Sequence, residues 1–314
     1  MYKIDSEYDS DFTPDEGYLN SMPDIQHGGV IKGSQVGIER VGISNFRLPL
    51  KIKTQNGDFQ EVEASIIGTV SLEGINKGIN MSRIVRTFYD YKDETFTVNT
   101  LEKILKGYEK KLGSYGAHIQ IHFNYRIWKN SLRSKNIGKE LNGGWQYYKI
   151  TLEGLLKESG KFNKYIHFDF VYSSACPCST ELSLHALESR NCYGIPHSQR
   201  SVARISLKLK DFIWIEEIQQ MCLEALKTEI QVFVKREDEQ AFAELNASNT
   251  KFVEDSVRLL YEQFNKDSRV IDFKIIASHN ESLHPYDAIA VITKGIDGGF
   301  NKHVSIADMK SLIY

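Results

Sequence analysis

The sequence is poor in cysteine and proline, lacks any long apolar run, and has no excess of one charge. Its 314 residues include four cysteines and six prolines, with 39 basic against 41 acidic residues. No stretch approaches the roughly 18 apolar residues of a membrane helix, and the N-terminus lacks the basic-then-apolar pattern of a signal peptide. The balanced charge excludes a chain-wide positive field for nucleic acid or an anionic membrane. We therefore expect a cytoplasmic protein with reduced thiols that binds neither.

The order of predicted elements repeats once along the chain. Residues 1–34 are polar, acidic at the start, and predicted to be a loosely ordered arm. A strand pair around Asn56-Gly57, a helix, and another strand pair follow in 35–160, and the same order recurs in 161–314. We predict an α+β fold of two tandem units, with antiparallel sheets and helices packed on one face. The clearest segments are a helix from Thr100, helices at 215–230 and 250–264, and strands at 119–127, 145–152, 165–175, 202–209, 270–277 and 288–293.

Two cysteines at the end of a predicted strand are the strongest chemical signal. Cys176 and Cys178 flank a proline where an apolar strand leaves for a loop. Thiols in this position suit a metal ligand or a nucleophile, although small buried hydrophobic side chains are the alternative. No second cysteine pair exists to complete a four-thiolate structural zinc site.

Two further polar segments follow these cysteines. His197 lies in a Gly/Pro turn beside Gln199 and Arg200, which offer hydrogen-bond donors for an anion; a solvated loop histidine is the alternative. Glu239 belongs to a mixed charge run, interpreted as the end of a helix, for which a solvated helix terminus is the simpler explanation.

Three more candidates lie further along the second half. Glu254 flanks the apolar stripe of a predicted helix, either as a boundary carboxylate or aimed into a cleft. Glu281 and His284, three residues apart in a turn, can converge and exchange protons near neutral pH. Together with the cysteines and His197, these segments supply thiolate, imidazole and carboxylate, the donor set of a catalytic zinc or related divalent site.

These segments, in this order, resemble the motif series of type IB GTP cyclohydrolase I. The resemblance extends upstream to Pro23–Gln26, Val41–Ile43 and Met81–Arg83, and so spans nearly the whole chain. The sequence departs from the family at Asn80, where a histidine is usual, and in extra residues at about Ser183–Cys192, which we predict to form a longer loop. The motifs themselves are Ala-Cys-Pro-Cys-Ser, Pro-His-x-Gln-Arg-Ser, Val-Lys-Arg-x-Asp-Glu-Gln-Ala-Phe, Lys-Phe-Val-Glu-Asp and Glu-Ser-Leu-His.

The resemblance implies a fold, an assembly and a set of site residues. It implies two fused tunnelling-fold units and a homotetramer with active sites at subunit interfaces. The implied ligands of a divalent ion, most suitably zinc but otherwise manganese, iron or magnesium, are Cys176, His197 and Glu239. The implied catalytic residues are Cys176, Glu281 and His284, with Cys178 as the second motif cysteine. Glu254 is implied to grip guanine, with Gln199, Arg200 and Arg83 as further substrate contacts and Arg47 and Lys235 as weaker candidates for the triphosphate.

The implied reaction converts GTP to 7,8-dihydroneopterin triphosphate and formate, for folate or deazaguanine-modified tRNA. A divalent ion with an open position lowers the pKa of a bound water from about 16 to near 7, which supplies hydroxide for attack at guanine C8. Two alternatives remain at this stage. One is a tunnelling-fold nitrile reductase, in which a cysteine attacks a 7-deazaguanine nitrile with NADPH and without a metal. The other is a non-catalytic pterin- or purine-binding protein.

Overall fold

Nine strands form the frame of the protein. The structure is a computed structural model that describes residues 8–23, 30–134 and 142–313. The strands are β1 Ile38–Lys53, β2 Phe59–Leu72, β3 Thr95–Phe96, β4 Ala117–Asn130, β5 Gly143–Leu156, β6 Phe162–Ala175, β7 Ser198–Leu209, β8 Val270–His279 and β9 Ala288–Thr293.

All nine strands join in one sheet, in the order β3-β1-β2-β4-β5-β6-β7-β8-β9. Every neighbouring pair is antiparallel except β1 and β3. A tight turn joins β1 to β2, and Gly57 takes a φ of +93° there, a conformation that costs glycine little. The two halves meet where β5 pairs with β6, from Ile150 opposite Phe168 to Leu156 opposite Phe162. The two halves of the chain therefore share one continuous sheet.

Helices pack on one face of this sheet. The helices of the described residues are α1 Glu16–Ser21, α2 Met81–Tyr89, α3 Val98–Leu112, α4 Pro177–Arg190, α5 Ile215–Leu226, α6 Arg236–Ser248 and α7 Val253–Asn265. Apolar stripes on α2, α3, α5 and α7 pack against strand residues such as Ile121, Phe168 and Ile275 in one continuous core. The predicted α+β class, with antiparallel strands and helices on one face, is confirmed. None of the helices in the described ranges is long and apolar enough to cross a membrane.

Three helices differ from the expectations drawn from the sequence. The segment predicted as a longer loop at Ser183–Cys192 lies mostly in α4, a helix without buried residues. The charge run interpreted as a helix end is instead the start of α6. The helix predicted over 215–230 ends at Leu226, because Lys227 takes a φ of +65° that breaks the helix.

The N-terminal arm is only partly described. Within it, α1 carries no buried residue, and Asp15 caps its start by accepting from Tyr18 N–H at 2.7 Å. Residues 1–7 and 24–29 lie outside the described residues, so most of the Pro23–Gln26 motif does too.

Among the described residues, the α-helices that contribute to the core leave the opposite face of the sheet free; we name it the helix-free face, and it is polar over much of its area. Glu153 accepts hydrogen bonds from His118 Nε2 at 2.8 Å and His167 Nε2 at 2.9 Å. Asp169 and Arg204 form a bidentate pair, with both contacts at 2.7 Å. After β9, residues 294–313 lie against this face over β6–β8; we name them the C-terminal strap. The strap includes a short 3₁₀ helix at Ile306–Met309.

Candidate active site

Cys176 and His197 are neighbours across the end of a strand pair. Ala175 of β6 lies directly opposite Ser198 of β7, so the next residues outward also face each other. Cys176 N–H donates to the His197 carbonyl at 3.2 Å, and His197 N–H donates to Ser179 Oγ at 3.3 Å. Side chains at directly opposed positions share one face of a sheet. The thiol and the imidazole, 21 residues apart in sequence, are thereby held at one strand end.

Gln199 links His197 to the next strand. Its Oε1 lies 3.3 Å from His197 Nδ1, and its Nε2 donates to Glu281 Oε1 at 3.1 Å. Glu281 Oε2 lies 3.6 Å from His197 Nδ1, and this oxygen is buried without a hydrogen-bond partner among the described residues. A buried, unpaired carboxylate oxygen is costly, so it marks a position where a proton donor is expected to bind.

Glu281 is the second residue of a short loop, residues 280–287, which we name the Glu281 loop. Asp287 closes the loop by accepting from Glu281 N–H at 3.0 Å and from Asn280 Nδ2 at 3.2 Å. His284 is exposed in the same loop, with its ring stacked on Tyr286 at a centroid distance of 4.8 Å. The two groups predicted to converge therefore differ: Glu281 faces inward, whereas His284 faces solvent in the single chain.

A buried polar layer lies beneath this strand end. His279 of β8 contacts Tyr172 OH at 2.9 Å and Ser256 Oγ of α7 at 3.3 Å. Burial, aided by the charge of Lys251, lowers the pKa of His279 to about 4, so its imidazole is neutral at neutral pH. Burial also lowers the pKa of Lys251 to about 8. Lys251 N–H donates to the Ala175 carbonyl at 3.2 Å and so joins the start of α7 to the end of β6.

Glu254 and Cys178 also lie near this edge. Glu254 is exposed in the first turn of α7, three residues after Lys251. Cys178 is exposed in the first turn of α4, which begins immediately after Cys176. A ligand bound at the strand end would therefore meet the N-terminal ends of two helices, where backbone N–H groups are free to donate.

Glu239 stands apart from the pair formed by Cys176 and His197. It is exposed in the first turn of α6. Nine residues separate it from the C-terminal end of that helix, a distance of about 14 Å along the helix axis. Its neighbour Asp238 is the buried carboxylate, bound to Ser134 and to the backbone N–H of Lys235. Among the residues that the structure describes, no three His, Cys, Asp or Glu side chains are grouped as a metal site.

The two main candidates for the triphosphate occupy different parts of the sheet. Arg200 is exposed next to Gln199, and its carbonyl accepts from Asn280 N–H at 3.2 Å. Arg83 of α2 donates to the Lys111 carbonyl at 2.7 Å in the first half of the chain. Helix α2 contacts β1, which is five strand positions from β7 and thus about 24 Å away. Within one chain, Arg200 borders the strand end and Arg83 does not.

Of the weaker candidates, Arg47 pairs with Glu63 at 2.6 Å on β1 and β2, and Lys235 precedes α6. Gln199, expected from the sequence as a substrate contact, joins His197 to Glu281 in the structure. The buried residues Lys251 and His279 and the half-buried Asp287 were missed, because a polar side chain in a strand or loop shows its burial only after the chain is folded.

Comparison with known proteins gives one consistent family. The model of "Type I GTP cyclohydrolase folE2" matches residues 22–290. A GTP cyclohydrolase FolE2 of Roseobacter denitrificans is 48% identical over 297 residues, covering 93% of this chain and 79% of the relative. The protein of that name from Jannaschia sp. is 50% identical over 293 residues, covering 92% and 79%, and that from Paracoccus denitrificans is 48% identical over 295 residues, covering 93% and 90%.

One solved structure supports the fold alone. A hyper-thermostable AgUricase mutant superposes with a TM-score of 0.50 at 9% identity, covering 87% of this chain and 96% of that one. Uricase from Arthrobacter globiformis has a TM-score of 0.49 at 8% identity, covering 87% and 98%. The family match and the relatives at 48–50% identity, by contrast, span most of the chain, including the strand end that holds Cys176, His197 and Glu281. The chain belongs to the type I GTP cyclohydrolase folE2 family.

Proposed function

We propose that this protein is a type IB GTP cyclohydrolase I, which opens the imidazole ring of GTP and gives 7,8-dihydroneopterin triphosphate and formate. The FolE2 relatives, at 48–50% identity over most of the chain, support the activity. The observation that carries the proposal is the meeting of Cys176, His197 and Glu281 at one strand end, with the buried Glu281 Oε2 lacking a hydrogen-bond partner among the described residues. The product would serve the synthesis of folate or of deazaguanine-modified tRNA.

The donor set supports a divalent metal ion as the cofactor. A thiol and an imidazole side by side suit zinc, and manganese, iron or magnesium are the alternatives. We propose that Cys176 and His197 hold the ion together with Glu239. Because Glu239 is exposed and separate from the other two in one chain, we propose that it reaches the ion from a neighbouring subunit of a homotetramer. When bound, the ion would supply activated water near neutral pH.

The remaining steps fall to side chains of this strand end. Glu281 would carry the proton that guanine N7 needs as the ring opens, because its free oxygen is aimed into the site beside His197. Gln199 would keep the Glu281 carboxylate in place by donating to its other oxygen. Exposed His284 would exchange protons between the site and solvent. Glu254 would accept from guanine N1–H and the 2-amino group, and Arg200 would bind phosphate.

The architecture supports a more specific description of the fold. We propose that the two halves, 35–160 and 161–314, are tunnelling-fold units, because each runs from a strand pair through helices to a second strand pair. We further propose that four chains assemble in the cytoplasm, with GTP bound between subunits.

Incubation of the purified protein with GTP tests the activity directly. With zinc or manganese present, we expect one formate per GTP and a fluorescent pterin after oxidation. ATP should give neither, because adenine lacks the two donors that Glu254 would bind. Absence of formate with all of zinc, manganese, iron and magnesium would refute the proposed function.

Mixed oligomers test the origin of Glu239. The variants Cys176→Ala and Glu239→Ala should each be inactive alone. If one subunit supplies Cys176 and another Glu239, oligomers co-expressed from both variants contain some intact sites, about a quarter of the total for random mixing. We expect formate release to recover to about that level.

The control is a mixture of Cys176→Ala with His197→Ala. Both changes remove ligands from the same strand end, so no intact site can form in this mixture. No recovery in the first mixture, with both variants folded and oligomeric, would mean that Glu239 does not act across subunits.

A further inference from the structure

The C-terminal strap is tied to the helix-free face near the start of β8. Asp272, a buried residue of β8, accepts from Gly295 N–H at 2.7 Å and from Phe300 N–H at 2.5 Å. Further along, Lys274 forms an ion pair with Asp308 at 2.7 Å. These contacts run in order along β8, so the strap proceeds toward the strand end that carries Glu281.

Leu312 is the apolar anchor at the far end of the strap. It is 7% exposed and packs on Val171, Val202 and Ile276, which form a small core on the helix-free face. The next residue, Ile313, is 80% exposed, although its carbonyl accepts from Lys149 Nζ at 3.3 Å. Leu312 is therefore the apolar side chain that the end of the strap buries against the sheet.

A chain of hydrogen bonds leads from this anchor to Glu281. Asn280 Nδ2 donates both to the Leu312 carbonyl at 3.3 Å and to Asp287 Oδ2 at 3.2 Å. The other oxygen of Asp287 accepts from Glu281 N–H at 3.0 Å. The strap thus contacts the Glu281 loop from the face opposite to the one on which the Glu281 side chain lies.

We infer that the C-terminal strap positions Glu281 for catalysis, with Leu312, Asn280 and Asp287 as the positioning residues. The inference rests on the proposed function. The family model matches residues 22–290, and the strap lies beyond them. The contacts by which the strap would hold Glu281 in place are therefore separate from the family's motifs. A group that transfers protons must stay within a fraction of an ångström of its productive place, and the surrounding contacts hold it there.

Replacement of Leu312 by alanine tests the role of the strap. We expect kcat for formate release to fall about 10-fold with little change in KM, because the loop is misplaced while guanine and phosphate contacts remain. Hydrogen exchange of residues 280–287 should increase. Leu312→Met should restore both values, and Ile313→Ala, at the exposed neighbouring position, should match the wild type.

A second variant leaves the packing of the strap intact. Asp287→Asn replaces one of the two acceptor oxygens with an NH₂ donor, so the side chain can no longer accept from both Asn280 Nδ2 and Glu281 N–H. We expect the same loss in kcat and the same increase in hydrogen exchange of residues 280–287. If Leu312→Ala and Asp287→Asn both keep wild-type kcat and exchange, the strap has no positioning role. If the wild type itself releases no formate, the proposed function fails. In that case, unchanged hydrogen exchange of residues 280–287 in both variants would still contradict the positioning of Glu281 by the strap.

Discussion

Replacing Cys176 with alanine is expected to lower the rate of formate release from GTP by at least about 10³-fold and to remove bound metal. The thiolate is the softest of the three proposed ligands. Without it, only two protein ligands remain, which is too few to retain a zinc-type ion. The fold should survive, because the Cys176 side chain makes no capping hydrogen bond to α4. Formate release, metal content per chain and the thermal unfolding midpoint are the measurements.

Cys192→Ala is the matched control for this change. Cys192 is also a free cysteine near α4, but it is exposed after the helix and outside the proposed ligand set. Its removal should leave both turnover and metal content at wild-type values. A Cys176→Ala protein that keeps its metal and full turnover would refute the role of Cys176 as a ligand.

Replacing Glu254 with alanine is expected to lower kcat/KM for GTP by up to about 10⁴-fold. A carboxylate can accept two parallel hydrogen bonds from guanine N1–H and its 2-amino group, and sites that lose such paired bonds discriminate on this scale. The unfolding midpoint and the metal content should stay close to the wild type, since Glu254 is exposed and is not one of the buried residues of α7. Steady-state kinetics with GTP measure the loss.

Glu262→Ala provides a control on the same helix. Glu262 is an exposed carboxylate further along α7 and pairs only with Lys266 at 2.7 Å in the described contacts. The variant Glu262→Ala is expected to leave the steady-state kinetics with GTP unchanged. If Glu254→Ala also retains wild-type kcat/KM, Glu254 does not anchor guanine.

With the exception of α2, the main elements that bury an apolar stripe could be predicted from the sequence, whereas those that bury little could not. Strand β9 was predicted at its observed bounds, Ala288–Thr293, and α7 to within three residues at its start. Helix α4 has no buried residue, and α6 buries only Asp238, so neither shows apolar periodicity. A signal for α6 was nevertheless present, because three acidic residues in succession favour the start of a helix over its end.

The chemistry of the site was easier to predict than its geometry. The residue types at Cys176, His197 and Glu281 suggested a shared site. Their proximity depends on the register of β6, β7 and β8, which the motifs alone do not reveal. For the same reason the bridging role of Gln199 was missed. The predicted convergence of Glu281 and His284 relied on spacing alone, and spacing in a loop does not determine which side chain faces inward.

The polar, helix-free face of the sheet limits how copies of this chain can pack together. Glu153, bound between His118 and His167, and the Asp169–Arg204 pair are satisfied within the strands, yet their outer edges still require water. A neighbour pressed dry against this surface would remove water from these partly exposed charged groups, which costs free energy unless the neighbour supplies matching polar groups. We therefore expect an oligomer that surrounds this surface to keep water against it.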